Sequence, residues 1–144
     1  MINKDVNILL VEDDYLDIMN VERELKKIGI KHPTHVARNG REALDMLRGT
    51  GVPKISPAPS VILLDINMPR MNGLEFLAEL RHEPEFSHIP VFIMTTSNEE
   101  TDRMAAQKLN VAGYIVKPMS FENFENSQSS LDNFTLFLDL IKLK

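Results

Sequence analysis

The sequence SVILLD, residues 60–65, is an apolar run that ends at an aspartate. Its apolar residues are continuous rather than alternating, which is typical of a strand covered on both faces in a parallel sheet. Three other runs have the same character: NILLV at 7–11, PVFIM at 90–94 and GYIV at 113–116. A weaker one, THVA, lies at 34–37. We therefore predict five strands.

Helical patterns lie between these strands. Ile18, Val21, Leu25 and Ile28 repeat at intervals of 3, 4 and 3 residues, which places them on one face of a helix that Gly29 ends. Three further helices open with an asparagine or serine followed by a glutamate three residues later, the pattern of a capping box. These pairs are Asn39 with Glu42, Asn72 with Glu75 and Ser97 with Glu100, and Ser120 opens a last helix through Phe121, Phe124 and Leu131.

Strands that alternate with helices imply an α/β domain whose parallel sheet is covered on both faces. Crossover connections are right-handed, so we expect the flavodoxin-like (βα)5 doubly wound sheet with strand order 2-1-3-4-5. The 144 residues are one domain's length, and we expect a single domain over 1–144. The segment GTGVPKISPAP at 49–59 holds three prolines and predicts a loop of variable length.

Composition excludes several classes of function. The chain has no cysteine, which rules out disulfides, thiolate metal sites and a cysteine nucleophile. Its formal net charge is −5 and it has no basic run, so nucleic acid is not an expected partner. No apolar stretch approaches the roughly 20 residues of a membrane span, and the N-terminus lacks a signal peptide pattern. We expect a cytoplasmic protein.

Polar residues collect just after the predicted strands, at the edge of the sheet where ligands bind in open α/β folds. They are Glu12, Asp13, Asp14, Asp65, Asn67, Thr95 and Lys117, and Pro118 follows Lys117. Clustered carboxylates repel one another, and a hard divalent cation such as Mg²⁺ or Mn²⁺ relieves that repulsion. Zn²⁺ is not expected, because none of the four histidines falls at this edge.

Each of these residues also has an ordinary structural interpretation. Asp13 and Asp14 are good caps for the first helix, Thr95 is a common strand residue, and Lys117 is compatible with a solvated surface charge. The functional interpretation rests on their convergence at one end of one sheet.

Four segments resemble the receiver domain of two-component response regulators, the CheY-like family. They are ILLVEDD at 8–14, VILLDINMPRMNG at 61–73, PVFIMTTS at 90–97 and YIVKP at 114–118. The separations of 30 residues from Asp65 to Thr95 and of 22 residues from Thr95 to Lys117 also suit that family. The resemblance spans about residues 5–128.

The resemblance implies a role for each matching residue. Asp65 would accept a phosphoryl group as an aspartyl phosphate, and Mg²⁺ would be held by Asp13 directly, by Glu12 largely through water, by Asp65, and by the backbone carbonyl of Asn67. Lys117 and the Thr95 hydroxyl would meet the phosphoryl oxygens. Tyr114 would be the aromatic switch residue, and a cis peptide bond before Pro118 would direct Lys117 into the site. The chain would catalyse only its own phosphorylation and dephosphorylation.

The resemblance also implies partners. The phosphoryl donor would be a phosphohistidine of a sensor histidine kinase or a phosphotransfer protein, and output would pass through protein contacts or onward phosphotransfer. The segment FTLFLDLIKLK at 134–144 is an apolar extension. It resembles the tail of single-domain regulators that partner bacterial phytochrome kinases. We expect a homodimer through the fourth helix, fifth strand and fifth helix.

Two alternatives remain. A phosphatase of the haloacid dehalogenase type also uses Mg²⁺ and an aspartyl phosphate, but it needs a second aspartate where this chain has Asn67. A pseudo-receiver would keep the fold as a binding module that works without phosphorylation. Such modules usually lose the acceptor, an acidic residue or the lysine, all of which are present here.

Overall fold

A six-stranded sheet forms the centre of the protein in the computed structural model, which describes residues 7–27, 29–30, 33–66, 68, 70–95, 100–117 and 124–125. The strands are β1 (Ile8–Val11), β2 (Thr34–Ala37), β3 (Val61–Asp65), β4 (Val91–Thr95), β5 (Gly113–Val116) and β6 (Phe124–Glu125). The helices are α1 (Tyr15–Lys27), α2 (Gly40–Arg48), α3 (Gly73–Arg81) and α4 (Glu100–Gln107).

The predicted topology is confirmed. The strand order is β2-β1-β3-β4-β5-β6, and the first five strands are parallel to one another. All five predicted strands are therefore present in the predicted order 2-1-3-4-5. Parallel pairing brings the carboxyl ends of these strands to one edge of the sheet.

The prediction of a helix at Phe124 is wrong. Phe124 and Glu125 form β6, which pairs antiparallel with β5 through Ile115 and Tyr114. Without β6, the outer edge of β5 would carry unpaired backbone N–H and C=O groups. Pairing with a sixth strand satisfies these groups. Phenylalanine also favours strands over helices. The rest of that predicted helix and the segment 134–144 lie outside the described residues.

The core occupies both faces of the sheet, which explains the continuous apolar runs. Within β1, Leu9 and Val11 belong to a cluster with residues of α2 and α3. Ile8 and Leu10 point to the opposite face, where they join residues of α1. Successive side chains of a strand alternate between faces, so a strand covered on both sides must be apolar throughout.

Two of the predicted helix caps can be checked. At α3 the box is complete, because the Asn72 side chain accepts from Glu75 N and the Glu75 side chain accepts from Asn72 N. At α2 the Asn39 side chain accepts from Glu42 N, but the Glu42 carboxylate accepts from Arg38 N instead. The third pair includes Ser97, which lies outside the described residues.

The proline-containing loop at 49–59 packs against the domain. Ile55 is buried and donates its N–H to Met46 O at 3.0 Å. The Asn7 side-chain amide donates to Pro57 O at 2.8 Å, which joins the loop to the start of β1. In the part of the chain described, no helix is both long and apolar enough for a membrane span.

Candidate acidic site at the sheet edge

The carboxyl ends of β1, β3 and β5 bring four of the predicted site residues together. Glu12 and Asp13 follow β1, Asp65 is the last residue of β3, and Lys117 follows β5. One carboxylate oxygen from each of the three acidic residues lies within 4.8 Å of the other two. Glu12 and Asp65 are buried, whereas Asp13 is exposed, so the cluster opens to solvent on the Asp13 side.

Lys117 neutralises part of this cluster. Its Nζ lies 2.8 Å from Glu12 Oε1, 3.0 Å from Asp17 Oδ2 and 3.0 Å from Asp65 Oδ1. Burial disfavours the charged ammonium, but the hydrogen bonds and charges of the carboxylates outweigh it and raise the pKa of Lys117. The surrounding carboxylates therefore favour the charged form of Lys117.

The buried carboxylates remain poorly compensated. Burial is the main cause that raises the pKa of Asp65, and the charges of Asp13 and Asp17 add to it, while Lys117 offsets part of the rise. Burial likewise raises the pKa of Glu12, again against the opposing effect of Lys117. One ammonium faces four carboxylates here, so the site favours a further positive charge.

Glu12 supplies a direct test of whether a metal ion fits. Its Oε2 accepts from Asp14 N at 3.0 Å. Its Oε1 is fully buried and accepts no well-directed hydrogen bond, although Lys117 Nζ is close enough for an ion pair. A buried lone pair without a directed donor is costly, and a cation would use it. Because every donor in the cluster is a carboxylate oxygen, the residues fit a hard divalent cation such as Mg²⁺ or Mn²⁺.

Gly73 fixes the position of the Asp65 backbone by direct contact. A Cβ atom at Gly73 would lie 2.4 Å from Asp65 O and 2.7 Å from Ile66 Cα, so only glycine lets α3 start this close to the end of β3. The Gly73 N–H donates to Ile66 O at 2.8 Å. This close approach holds the backbone at Asp65 in one place.

Asp14 caps the first helix and is not a member of the acidic cluster. Its Oδ1 accepts from Leu16 N at 2.9 Å and from Asp17 N at 3.2 Å, which is the pattern of an N-cap for α1. The structure thus separates the three acidic residues 12–14: Glu12 and Asp13 face the site, and Asp14 caps the helix.

The remaining predicted site residues are described in part. Thr95 ends β4 and pairs with Val116 of β5, and its side chain lies outside the described part of the structure. Asn67 and Pro118 also lie outside it. Tyr114 of β5 is only 6% exposed and belongs to the core.

Asp17 is the site residue that sequence reasoning missed. It lies in the first turn of α1, where an acidic residue normally complements the helix dipole. Its contact with Lys117 shows a second role. The available signal was its position one helical turn after the acidic pair, on a helix that starts at the sheet edge.

Comparison with known proteins places this site in context. Residues 8–127 match the family model described as "Response regulator receiver domain". The curated protein "Response regulator Rcp1" of Synechocystis sp. is 36% identical over 129 residues, covering 90% of this chain and 88% of that protein.

Solved structures agree. A two-component response regulator from Legionella pneumophila is 39% identical with a TM-score of 0.77, covering 93% of this chain and 98% of that one. The bacteriophytochrome response regulator AtBRR is 32% identical with a TM-score of 0.77, and covers 99% of this chain and 96% of its own. The Mn²⁺-bound form of Rcp1 has a TM-score of 0.72 at 32% identity, covering 96% of both chains.

Proposed function

Because the chain belongs to the receiver domain family of response regulators, we propose that it accepts a phosphoryl group on Asp65 in a two-component phosphorelay. The observation that carries the proposal is the contact of Lys117 Nζ with Asp65 Oδ1 at 3.0 Å inside the acidic cluster. The match of residues 8–127 to the receiver domain family argues against the phosphatase alternative. The pseudo-receiver alternative is an outcome of the experiment below.

The chemistry follows from the acceptor's surroundings. A carboxylate oxygen of Asp65 would attack the phosphorus of a phosphohistidine, and the P–N bond would break with its electron pair left on the imidazole nitrogen. Such transfers pass through a loose transition state, so positioning and charge neutralisation matter most. Lys117, already next to Asp65, would neutralise a phosphoryl oxygen.

A divalent cation, Mg²⁺ or Mn²⁺, would be held by Glu12, Asp13, Asp65 and the carbonyl of Asn67, and it would supply further charge neutralisation. Asp13 is the exposed member of the cluster and would meet the ion directly, whereas Glu12 is buried. The Thr95 hydroxyl stays a predicted phosphoryl ligand, and Tyr114 stays a predicted switch residue. In that scheme Thr95 moves toward the phosphoryl group and Tyr114 repacks beside it.

The proposed donor is a sensor histidine kinase or a phosphotransfer protein in the cytoplasm, without nucleic acid or membrane contact. A donor histidine must approach the sheet edge, and α1 offers an apolar surface there. Tyr15, Leu16 and Met19 are 64%, 73% and 42% exposed, and they surround Asp17 in the sequence. Since AtBRR is named a bacteriophytochrome response regulator, we propose a kinase of the phytochrome type.

Assembly is the second part of the proposal. The expected homodimer uses α4, β5 and the segment after β5, in which Phe124 and Glu125 form β6. Met104 on α4 is 56% exposed, which supports an interface there. Sedimentation with and without beryllofluoride, a phosphoryl mimic, tests whether phosphorylation controls dimer formation.

The proposed phosphorylation is tested with acetyl phosphate and Mg²⁺, read by intact mass. Wild type should gain one phosphoryl group, and Asp65→Asn should gain none. Asp45→Asn, at a partly buried aspartate of α2, is the matched control and should label like wild type. Absence of labelling in wild type would identify a pseudo-receiver.

A further inference from the structure

We propose that Asp17 is a positioning residue that competes with the phosphoryl group for Lys117, so that it weakens the phosphorylated state. This inference rests on the proposed function and adds a regulatory residue to it. Asp17 Oδ2 accepts a hydrogen bond from Lys117 Nζ at 3.0 Å. The two residues are 100 positions apart in the sequence, so the contact joins the start of α1 to the end of β5.

The ammonium of Lys117 has three hydrogens and three carboxylate neighbours, Glu12, Asp17 and Asp65. A phosphoryl group on Asp65 adds acceptor oxygens and negative charge at the same place. The Lys117 Nζ already lies within 3.0 Å of all three carboxylates, so a move toward the phosphoryl oxygens lengthens at least one of these contacts. The cost of lengthening that contact is part of the free energy of the phosphorylated state.

Asp17 is the partner that gives way most readily. The Glu12 side chain is fully buried and that of Asp65 is 7% exposed, whereas the Asp17 side chain is 27% exposed. A carboxylate released from an ion pair is stabilised by water only where water reaches it. The phosphoryl group would be bonded to Asp65, so a move toward it keeps Lys117 close to Asp65. Lys117 would therefore turn away from Asp17 toward the phosphoryl oxygens.

The geometry of α1 makes Asp17 a fixed competitor. Its own N–H donates to Asp14 Oδ1 at 3.2 Å, within the cap that starts the helix. Ile18 and Val21 are buried against the sheet, which holds this helix turn in place. The backbone at Asp17 is therefore held in place, and a move of Lys117 toward the phosphoryl group lengthens its contact with the Asp17 carboxylate.

The test measures beryllofluoride affinity in saturating Mg²⁺. Asp17→Asn should bind the mimic roughly two- to fivefold more tightly than wild type, the range expected when one partly exposed ion pair is lost. Asp17→Glu restores a carboxylate and should return the affinity toward wild type. Asp14→Asn is the matched control, because it removes a charge three residues away while asparagine keeps the cap; it should change affinity less than about twofold.

A double-mutant cycle separates competition from long-range charge. In a Lys117→Met background, with beryllofluoride titrated to millimolar concentration, Asp17→Asn should not change the affinity for the mimic. If Lys117→Met no longer binds, the comparison with Asp17→Glu and Asp14→Asn decides alone. Equal tightening by Asp14→Asn and Asp17→Asn, or weaker binding by Asp17→Asn, overturns the inference while wild-type binding upholds the proposed function. Failure of wild type to bind the mimic or label would defeat both.

Discussion

Lys117 Nζ lies 3.0 Å from Asp65 Oδ1, although β4 separates the two strands that carry these residues. Neighbouring strands are roughly 5 Å apart, so the two strand ends are about 10 Å apart. The long lysine side chain spans that distance across the end of β4, where Thr95 lies. A shift at the end of β4 would thus act on the contact between Asp65 and Lys117.

The first prediction concerns pH. Burial holds the pKa of Asp65 above its usual value, so between the unfolded and folded pKa values the folded protein binds more protons than the unfolded chain. This difference in proton binding stabilises the folded protein at low pH, and the stabilisation is lost as pH rises through the pKa that Asp65 has in the folded state. Asp65→Asn removes the titrating group. Without metal, the variant should be more stable than wild type at neutral pH, and the difference should shrink as pH falls.

Urea unfolding in EDTA from about pH 4 to about pH 8 measures this difference. Asp45→Asn should track wild type across the range. A constant difference between Asp65→Asn and wild type would contradict the raised pKa.

The second prediction concerns the metal. Asp13→Ala removes the exposed carboxylate of the cluster, and Mg²⁺ affinity should fall about tenfold or more, because a contact between full charges at 4 Å near a surface is worth up to about 4 kcal/mol. Stability without metal should hold or rise, since carboxylate repulsion is relieved. Calorimetric titration of Mg²⁺ checks the affinity, with Asp14→Asn as the control. Unchanged affinity in Asp13→Ala would place the ion elsewhere.

The third prediction concerns Gly73. The added Cβ of Gly73→Ala would press on the Asp65 carbonyl and the Ile66 Cα, both backbone atoms. We expect destabilisation of about 1–3 kcal/mol and slower phosphoryl uptake, because the acceptor would shift. Ala78→Gly on the same helix should cost about 1 kcal/mol through helix propensity alone and leave the rate of uptake unchanged. Equal rates in the two variants would show that Gly73 matters only for stability.

The sequence was sufficient to predict the meeting of Glu12, Asp13, Asp65 and Lys117, because parallel strands align their carboxyl ends. It was insufficient for Asp17, whose contact depends on how the first turn of α1 lies over that edge. It also missed β6, since Phe124 becomes a strand by pairing with the edge of β5 rather than by local pattern. Local periodicity reports which face of an element is apolar, but contacts across element ends come from packing.

The last prediction concerns Arg81, at the end of α3. Its guanidinium donates to four backbone carbonyls, those of Leu109 at 2.7 Å, Ser87 at 2.9 Å, Ile89 at 2.9 Å and Asn110 at 3.1 Å. Burial lowers its pKa. These bonds tie the segment after α4 to α3 and to the approach to β4. Arg81→Met should leave the carbonyls without this donor and cost about 2–4 kcal/mol.

Arg48→Met is the matched control, because Arg48 makes exposed ion pairs with Glu79 and Glu83 and should cost less than about 1 kcal/mol. Hydrogen exchange gives the second readout. Ala112 N donates to Val91 O at 2.7 Å, and this amide should lose protection in Arg81→Met but keep it in Arg48→Met. Similar losses of stability in the two variants would mean that the four carbonyls find other donors, and that the segment after α4 does not depend on Arg81.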